Sequence, residues 1–414
     1  MKTISKLLII PLFVSLMLIV SCEKSFNSNE ERPTIKIGVL LPQTGSASSA
    51  GQSIRAALEY YEYVRLSEKV LRPLYFDFEY FDTETNPEKC LTGIKYFNSK
   101  NIKIIIGPYS TAELESIADY VKANNMIVLS PSSVAISMAK PDDNIFRFAP
   151  NDSIQALAVQ KYMEYKNIKY MTGIYRNDVW GTGLSKLVST NKFFDGNFDD
   201  NFYGYKTDLT NIDENIEFLK ENVKFYKDLQ LKMNELAIYF ASFGEGADII
   251  ERIVESSIAG NNDIKLIGSS AFAFNSSILG NEKAANYAIN QEMVCPVFAL
   301  PREIDKLPIY TDLAKLLGRN PETYSIVAYD IASLINSIMD DTKFIHNKDV
   351  SKVLSSIIES SKNRMGYSGL MELNSNGDRK SGNYNFMSIK KNGYTYEWYV
   401  NATYDYESGK IVKY

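Results

Sequence analysis

The stretch from Ile35 to Leu58, IKIGVLLPQTGSASSAGQSIRAAL, sets a pattern that the rest of the chain follows. It begins with a mostly apolar run that ends at Pro42, which is typical of a buried parallel strand. A loop of small hydroxyl residues comes next, and from about Gly51 apolar residues recur at helical spacing. The sequence therefore predicts a strand, a loop and a helix, which is how an α/β domain opens.

The same order repeats along the first part of the chain. Predicted strands at 74–81, 102–106 and 126–129 alternate with predicted helices. This alternation indicates a doubly wound parallel sheet, in which ligands bind outside the carboxyl ends of the strands. Three loops that open toward that edge are rich in small hydroxyl residues, at 42–50, 107–111 and 130–134.

After an extended segment at Ile145–Pro150, which we interpret as a crossing between lobes, the pattern begins again. Predicted strands at 170–175, 235–240 and 265–268 form a second set. The tail differs, because two strand-like runs within 366–391 flank an Asn-Gly pair and predict a hairpin. We expect an α/β protein with two doubly wound, Rossmann-like lobes joined by crossing strands.

Composition narrows the chemistry that this fold can carry. The chain has 414 residues, enough for two or more domains, and its net charge of −5 gives no electrostatic reason to bind nucleic acid. The single histidine, His346, lies in a polar stretch without convergent partners, so neither a metal centre nor a Ser-His-Asp triad is predicted. We therefore predict no enzyme activity, no cofactor and no metal site.

The three cysteines are widely spaced and form no CxxC pair. Cys90 and Cys295 fall in different predicted lobes, and two buried free thiols are favoured over a disulfide between them. The third cysteine, Cys22, ends the N-terminal segment.

That segment, MKTISKLLIIPLFVSLMLIVSC, places two lysines before an apolar run, which is the pattern of an export signal. The run is also near the length of a membrane span, so an uncleaved anchor helix is the alternative. Its ending at Cys22 resembles a bacterial lipobox, and this resemblance implies cleavage before Cys22 and acylation of its thiol. We predict a lipoprotein signal peptide at 1–21 and, because 22–33 is polar, a flexible tether there.

Five segments, taken in order, resemble the type I periplasmic solute-binding proteins, and among them the leucine/isoleucine/valine-binding and amide-binding receptors. The resemblance implies two lobes that close on a ligand, with lobe one formed by 33–150 and 293–363 and lobe two by 151–292 and 364–414. The five segments are IKIGVLLPQTGSASSAGQSIRAAL, IIIGPYSTAELESIADYV, IVLSPSSVA, RNDVWGTGLSKL and GLMELNSNGDRKSGNYNFMSI.

The resemblance also implies ligand-binding residues in lobe one. The matching positions, which in the family hold a ligand carboxylate, are Ser110, Thr111, Ser132 and Ser133. The start of a helix at this point would offer unpaired N–H groups and a partial positive charge. Ser110 and Glu113 also have capping-box spacing, so Ser110 caps the helix in the alternative interpretation.

In lobe two, Trp180 matches an aromatic position that covers the ligand. Further ligand-binding candidates on matching loops are Phe243, Ser269 and Tyr324. The loop 269–271 holds no acid to pair with a ligand ammonium group, although Glu245 or Asp178 is an alternative source of one. The ligand therefore stays open between an α-amino acid and another polar or aromatic small molecule.

These observations predict an extracytoplasmic, lipid-anchored solute-binding protein that delivers a small ligand to the membrane subunits of an ABC importer. The alternative is an envelope lipoprotein of the same fold that senses a ligand or serves as a scaffold, without a transport role. We expect the protein in the cell envelope, held to a membrane by the lipid on Cys22.

Overall fold

The computed structural model describes residues 34–67, 75–190, 198–260, 263–342 and 350–413. The elements up to the first crossing are β1 (Thr34–Leu41), α1 (Ser48–Ser67), β2 (Tyr75–Asp82), α2 (Pro87–Ser99), β3 (Ile104–Ile106), α3 (Thr111–Ala123), β4 (Ile127–Ser130) and β5 (Ile145–Pro150). The elements of the second βαβ set are α4 (Asp152–Lys166), β6 (Tyr170–Arg176), α5 (Val179–Ser189), α6 (Phe198–Asn201), β7 (Phe202–Tyr205), α7 (Ile212–Asp228), β8 (Leu236–Ala241), α8 (Gly246–Glu255), β9 (Lys265–Gly268), α9 (Ser276–Gly280) and α10 (Glu282–Asn290).

The remaining elements return to the first sheet and end in antiparallel strands. They are β10 (Cys295–Phe298), α11 (Pro308–Leu317), α12 (Thr323–Thr342), α13 (Val350–Ser361), β11 (Met365–Gly366), β12 (Gly369–Leu370), β13 (Asp378–Arg379), β14 (Tyr384–Asn392), β15 (Thr395–Asp405) and β16 (Lys410–Lys413).

Lobe one is built on a six-stranded sheet with the order β13-β5-β4-β3-β1-β2, and all of its pairings are parallel. Helices cover both faces. Ile37 and Val39 pack in the cluster that contains α1 and α12, whereas Leu40 packs in the cluster that contains α2 and α3. Because both faces are buried, the central strands read as apolar runs. The chain order reverses between β1 and β3, and such a point is where α/β sheets bind ligands.

Lobe two repeats this plan in a four-stranded parallel sheet with the order β7-β6-β8-β9. Its chain order reverses between β6 and β8. Val294 bridges to Ile267 and continues the sheet, and β10 then pairs antiparallel with β14, which is followed by β15 and β16. The predicted α/β fold with two doubly wound lobes is confirmed.

Strand pairing refines two local predictions. Ile145–Pro150 is extended, as predicted, and forms strand β5, paired to β4 on one side and to β13 on the other, before the chain enters α4. Within 366–391 the Asn-Gly turn closes only a single antiparallel bridge, between Leu373 and Arg379, and the long hairpin lies further on, between β14 and β15, with its turn at Gly393. Residues 378–379, which the predicted boundaries place in lobe two, pair with the sheet of lobe one. Residues 295–298, which those boundaries place in lobe one, pair with the strands of lobe two. The lobe boundaries themselves stay a prediction.

Cys90 and Cys295 are free thiols, both buried, and they lie in separate apolar clusters of the two lobes. The predicted pair of buried free thiols is confirmed. His346 and Cys22 fall outside the described residues. Within the described ranges, none of the helices combines the length and the apolar character that crossing a membrane requires.

Candidate ligand-binding site

Loops from the carboxyl ends of the strands in both sheets meet around one small cavity between the lobes. Lobe one contributes the loops after β3 and β4 and the start of α12, and lobe two contributes the loops after β6, β8 and β9. The cavity has a volume of about 20 Å³, enough for one water-sized group. Its lining residues are Tyr109, Ser110, Thr111, Ser132, Val134, Trp180, Phe243, Ser270, Ala271 and Tyr324.

Six of the eight residues predicted to contact a ligand line this cavity: Ser110, Thr111, Ser132, Trp180, Phe243 and Tyr324. Ser133 and Ser269 do not line it. The Ser133 hydroxyl lies 3.2 Å from that of Thr111, and the Ser269 hydroxyl donates to the carbonyl of Ser242 at 3.0 Å. Both therefore lie behind the lining and support neighbouring loops. Ligand contact by any of the eight residues stays a prediction.

Four of the ten lining residues are aromatic. Trp180 and Phe243, both from lobe two, stack with their ring centroids 5.0 Å apart. Tyr109 of lobe one meets Phe243 edge-on at 6.2 Å and meets Tyr324 in the same way at 6.2 Å. The rings contact one another across the cleft, which explains why the enclosed cavity is so small.

The hydroxyl and amide groups of lobe one are largely satisfied within the lobe. Ser110 forms the predicted capping box: its hydroxyl accepts the backbone N–H of Glu113 at 3.3 Å, and its own backbone N–H donates to the Glu113 carboxyl at 2.9 Å. The Ser110 hydroxyl also donates to that carboxyl at 2.7 Å. The hydroxyl of Ser132 donates to the carbonyl of Tyr109 at 2.8 Å. The Ser130 hydroxyl accepts from the backbone N–H of Ser133 at 3.0 Å. Capping by Ser110 is thus confirmed.

The acids suggested as ammonium partners in lobe two already have a partner. Arg176 donates to Asp178 at 2.7 Å and to Glu245 at 2.9 Å, and its guanidinium lies over the ring of Phe243 at 4.6 Å. Tyr205 also donates to Glu245 at 2.9 Å. Burial alone lowers the pKa of Arg176, but the two carboxylates outweigh it and raise that pKa. Asp178 and Glu245 therefore hold Arg176 in place and line no part of the cavity.

Asp152, the first residue of α4, is a buried acid that the sequence did not single out. Its backbone N–H donates to the carbonyl of Val134, a lining residue, at 2.9 Å. The side chain is almost fully buried, and among the residues that the structure describes its carboxyl group has only a weak hydrogen bond, from the indole of Trp180. Burial raises its pKa to about 7, against smaller opposing effects of Arg147 and the nearby indole of Trp180.

Glu322, just before α12, is a second buried acid beside the rings. Its carboxyl accepts the Ser49 hydroxyl at 3.1 Å, and Arg319 approaches it at 3.8 Å. Burial raises its pKa to about 7. Its charge in turn contributes to the raised pKa of both Tyr109 and Tyr324. Together with Asp152 it gives the cleft two buried acids, each with an arginine that favours its charged form less strongly than burial disfavours it.

The loop between β1 and α1 reaches lobe two directly. A Cβ atom on Gly244 would lie only 3.2 Å from the carbonyl oxygen of Ser46. The Tyr109 and Phe243 rings, 6.2 Å apart, add a second contact between the lobes. The lobes are therefore closed on each other. Within the described ranges, no group of three or more His, Cys, Asp or Glu side chains is arranged to hold a metal ion.

With this geometry established, comparison with known proteins identifies the family. A family profile described as the receptor family ligand binding region matches residues 50–392. The chain belongs to this family. Over 93% of its length it is also 24% identical to an uncharacterized protein of Methanocaldococcus jannaschii, of which it covers 93%.

Solved structures of low sequence identity share the fold. A type 1 periplasmic binding protein from Bordetella pertussis Tohama I is 18% identical with a TM-score of 0.70, over 89% of this chain and 100% of that one. LivJ of Streptococcus pneumoniae, the substrate-binding protein of a branched-chain amino acid transporter, solved with isoleucine, is 15% identical with a TM-score of 0.69, over 92% and 100%. These likenesses confirm the type I periplasmic binding protein fold.

Proposed function

We propose that this chain is an extracytoplasmic solute-binding protein that captures a small polar ligand between its lobes and delivers it to an ABC importer. The observation that carries the proposal is the cavity between the lobes, which is lined by the loops after β3 and β4 of lobe one and after β6, β8 and β9 of lobe two, beside the points where the chain order of each sheet reverses. Ligands in α/β sheets bind at such points, and here two of them face each other. A ligand held there touches both lobes at once and so stabilises the closed arrangement.

Membership of a ligand-binding receptor family and the nature of the structural relatives support this proposal. The Streptococcus pneumoniae relative serves a transporter and holds isoleucine. A small ligand and importer subunits are therefore the partners we propose. The candidate ligands are amino acids, amides and other small polar molecules.

The attachment to a membrane is also a proposal. It rests on the sequence of the first 22 residues, where a basic start and an apolar run end at Cys22. Cleavage before Cys22 and acylation of its thiol would leave 22–33 as a tether. Mass spectrometry of Cys22 in material purified from membranes would test this, because an uncleaved N-terminus without a lipid would contradict it.

A second function, ligand sensing or scaffolding without transport, is favoured by one observation. The cleft is closed by its own rings and encloses only about 20 Å³, so a ligand enters only when rings or lobes separate. A scaffold needs no such opening. Catalysis is not proposed, because no nucleophile paired with a base has been identified at the cavity.

A thermal-stability screen of the full chain, purified in detergent, tests the proposal. Amino acids, amides, amines and small organic acids are added singly at millimolar concentration. A true ligand binds the folded state alone and raises the midpoint of unfolding in proportion to the logarithm of its concentration. An unchanged midpoint with every compound would contradict transport and favour the scaffold.

A further inference from the structure

The chemistry around the cavity allows the ligand class to be narrowed, in an inference that rests on the proposed function. We propose that the cleft selects an organic cation, a protonated amine that needs no carboxylate, held by the four rings that line the cavity and, from behind that lining, by the carboxyl groups of Asp152 and Glu322. The family resemblance suggested instead that lobe one binds a ligand carboxylate.

The first argument concerns the hydrogen-bond donors of lobe one. An incoming carboxylate needs free N–H and O–H groups. The backbone N–H and the hydroxyl of Ser110 already donate to the carboxyl of Glu113, and the hydroxyl of Ser132 already donates to a backbone carbonyl. Glu113 also sits in the first turn of α3, where an acid offsets the partial positive charge of the helix end. The same hydroxyl oxygens keep lone pairs that can accept a hydrogen bond from an ammonium group.

The second argument is the aromatic lining. The faces of aromatic rings carry a negative quadrupole and attract cations, most strongly when the site is dry. Tyr109, Trp180, Phe243 and Tyr324 enclose the cavity from both lobes. An anion at the same place would meet these faces unfavourably.

The third argument is the unbalanced negative charge. Asp152 is 1% exposed, and within the described part of the chain its carboxyl group has no well-formed hydrogen bond and only a weak one from the indole of Trp180. A buried carboxylate in this state is unfavourable unless a partner arrives. Arg147, which acts on Asp152 through its charge, is already paired with Asp378 at 2.6 Å. An ammonium group at the cavity supplies a stronger partner.

The size of the cavity also fits an ammonium group. A volume of about 20 Å³ accommodates one group of the size of water, and a primary ammonium group is of that size. The rest of the ligand then occupies the space that opens when the rings facing each other across the cleft move apart.

A matched series of ligands tests the inference on the full chain. 3-Methylbutylamine, leucine and 4-methylpentanoate share one branched hydrocarbon and carry an ammonium group, both charged groups, or a carboxylate. Titration calorimetry should give the tightest binding for the amine and none for the acid. The series 2-phenylethylamine, phenylalanine and 3-phenylpropionate repeats the comparison with an aromatic side chain.

Two variants test whether the amine binds in the cleft. Asp152→Asn, nearly isosteric and uncharged, should weaken amine binding roughly tenfold or more, since a hydrogen bond to a charged group is lost. Asp330→Asn is the matched control, because Asp330 is also a buried acid with a raised pKa but accepts backbone N–H groups of 367 and 368 away from the cavity. It should leave amine binding unchanged.

Two outcomes would overturn the inference. Tighter binding of the acid or the amino acid than of the amine would do so and would leave the proposed function standing. Amine binding that Asp152→Asn and Glu322→Gln both leave unchanged would place the amine outside the cleft. If no compound of either series or of the wider screen binds, the inference and the proposed function fail together.

Discussion

Trp180 stacks on Phe243 with ring centroids 5.0 Å apart and planes inclined by 27°. One ring follows β6 and the other follows β8, the two strands between which the chain order of lobe two reverses. The guanidinium of Arg176 lies over the same phenyl ring. The wall that lobe two presents to the cleft is therefore held by contacts within that lobe.

Removing the phenyl ring should loosen this wall. We expect Phe243→Ala to lower the free energy of unfolding by about 3 kcal/mol, because a buried aromatic ring is lost and a void remains. Urea unfolding measures this change. Phe225→Ala is the control, since Phe225 is 57% exposed and its truncation should change stability by less than about 0.5 kcal/mol. Equal losses in the two variants would contradict the packing described here.

The two glycines that follow Trp180 should respond oppositely to alanine. A Cβ atom on Gly181 would lie 2.1 Å from the carbonyl oxygen of Arg176, whereas nothing lies within 4 Å of one on Gly183. Gly181→Ala should therefore destabilise the protein and displace the start of α5. Gly183→Ala should stabilise it by about 0.5–1 kcal/mol, because alanine is the better helix former. Thermal unfolding of both variants decides this, and a stabilising Gly181→Ala would be the contrary result.

Asp152 should make stability fall as the pH rises. Its folded-state pKa of about 7 lies above its ordinary value of 3.8, so between these values the folded state binds more protons than the unfolded state. The stabilisation is complete below about pH 4 and is lost as the pH rises through 7. Asp152→Asn should match the parent near pH 4 and exceed its stability by up to about 4 kcal/mol above pH 7.

The pKa of Glu322 is raised as well, and Glu322 is still present in the Asp152→Asn variant. The loss of stability with rising pH should therefore be smaller in this variant than in the parent, but not absent. Urea titrations at several pH values measure the difference. A parent protein that gains stability relative to Asp152→Asn as the pH rises would show that Asp152 is stabilised as an anion in the ligand-free protein.

The crossing region is held by a buried ion pair. Arg147 of β5 and Asp378 of β13 meet at 2.6 Å across 231 residues of sequence, and each side chain is 2% exposed. Asp378→Ala leaves the arginine charge buried and unpaired, which should lower stability by about 3–5 kcal/mol.

The control for this pair is the exposed pair of Lys362 and Glu359, where Glu359→Ala should change stability by less than about 1 kcal/mol. The midpoints of urea unfolding compare the two. A loss in Asp378→Ala no greater than in the control would show that water reaches Arg147.

Much of the fold was predictable because buried parallel strands leave a direct trace in the sequence. Ile104–Ile106 is buried on both faces and reads as three isoleucines, and the hydroxyl-rich loop that follows marks the carboxyl end of that strand. The extended segment Ile145–Pro150 could be predicted but its pairing as β5 could not, since one neighbour is the two-residue strand β13, whose Asp378 lies 231 residues beyond Arg147. Local patterns carry no information about such a partner.

The extent of the hairpin could not be predicted for a similar reason. Two Asn-Gly pairs occur in the tail, and both glycines, Gly377 and Gly393, have left-handed backbone conformations. Local sequence marks both as turns. The first closes a single antiparallel bridge, between Leu373 and Arg379, whereas the second joins the long strands β14 and β15.

For the site, the sequence allowed several residues that line the cavity to be predicted. It did not allow the interactions of the buried acids to be predicted. The family resemblance indicated Trp180 and Tyr324, which lie in the first turns of α5 and α12 and both line the cavity. Asp152 begins a helix directly after a strand, and nothing in the sequence shows that its carboxyl group is left with only a weak hydrogen bond. The spacing of Ser110 and Glu113 did predict the capping box. In it, the N–H and O–H groups of Ser110 donate to Glu113 and so are not free to bind an anion.

Ligand binding in the cleft is the central claim, and tryptophan fluorescence tests it most directly. The chain has two tryptophans, and Trp180 lines the cavity whereas Trp398 packs in the second lobe's separate apolar cluster. Titration of the full chain with the best compound of the screen should change the emission, equally so in Trp398→Phe. The change should disappear in Trp180→Phe. A change that persists in Trp180→Phe and is lost in Trp398→Phe would contradict the account, because the ligand would then bind outside the cleft.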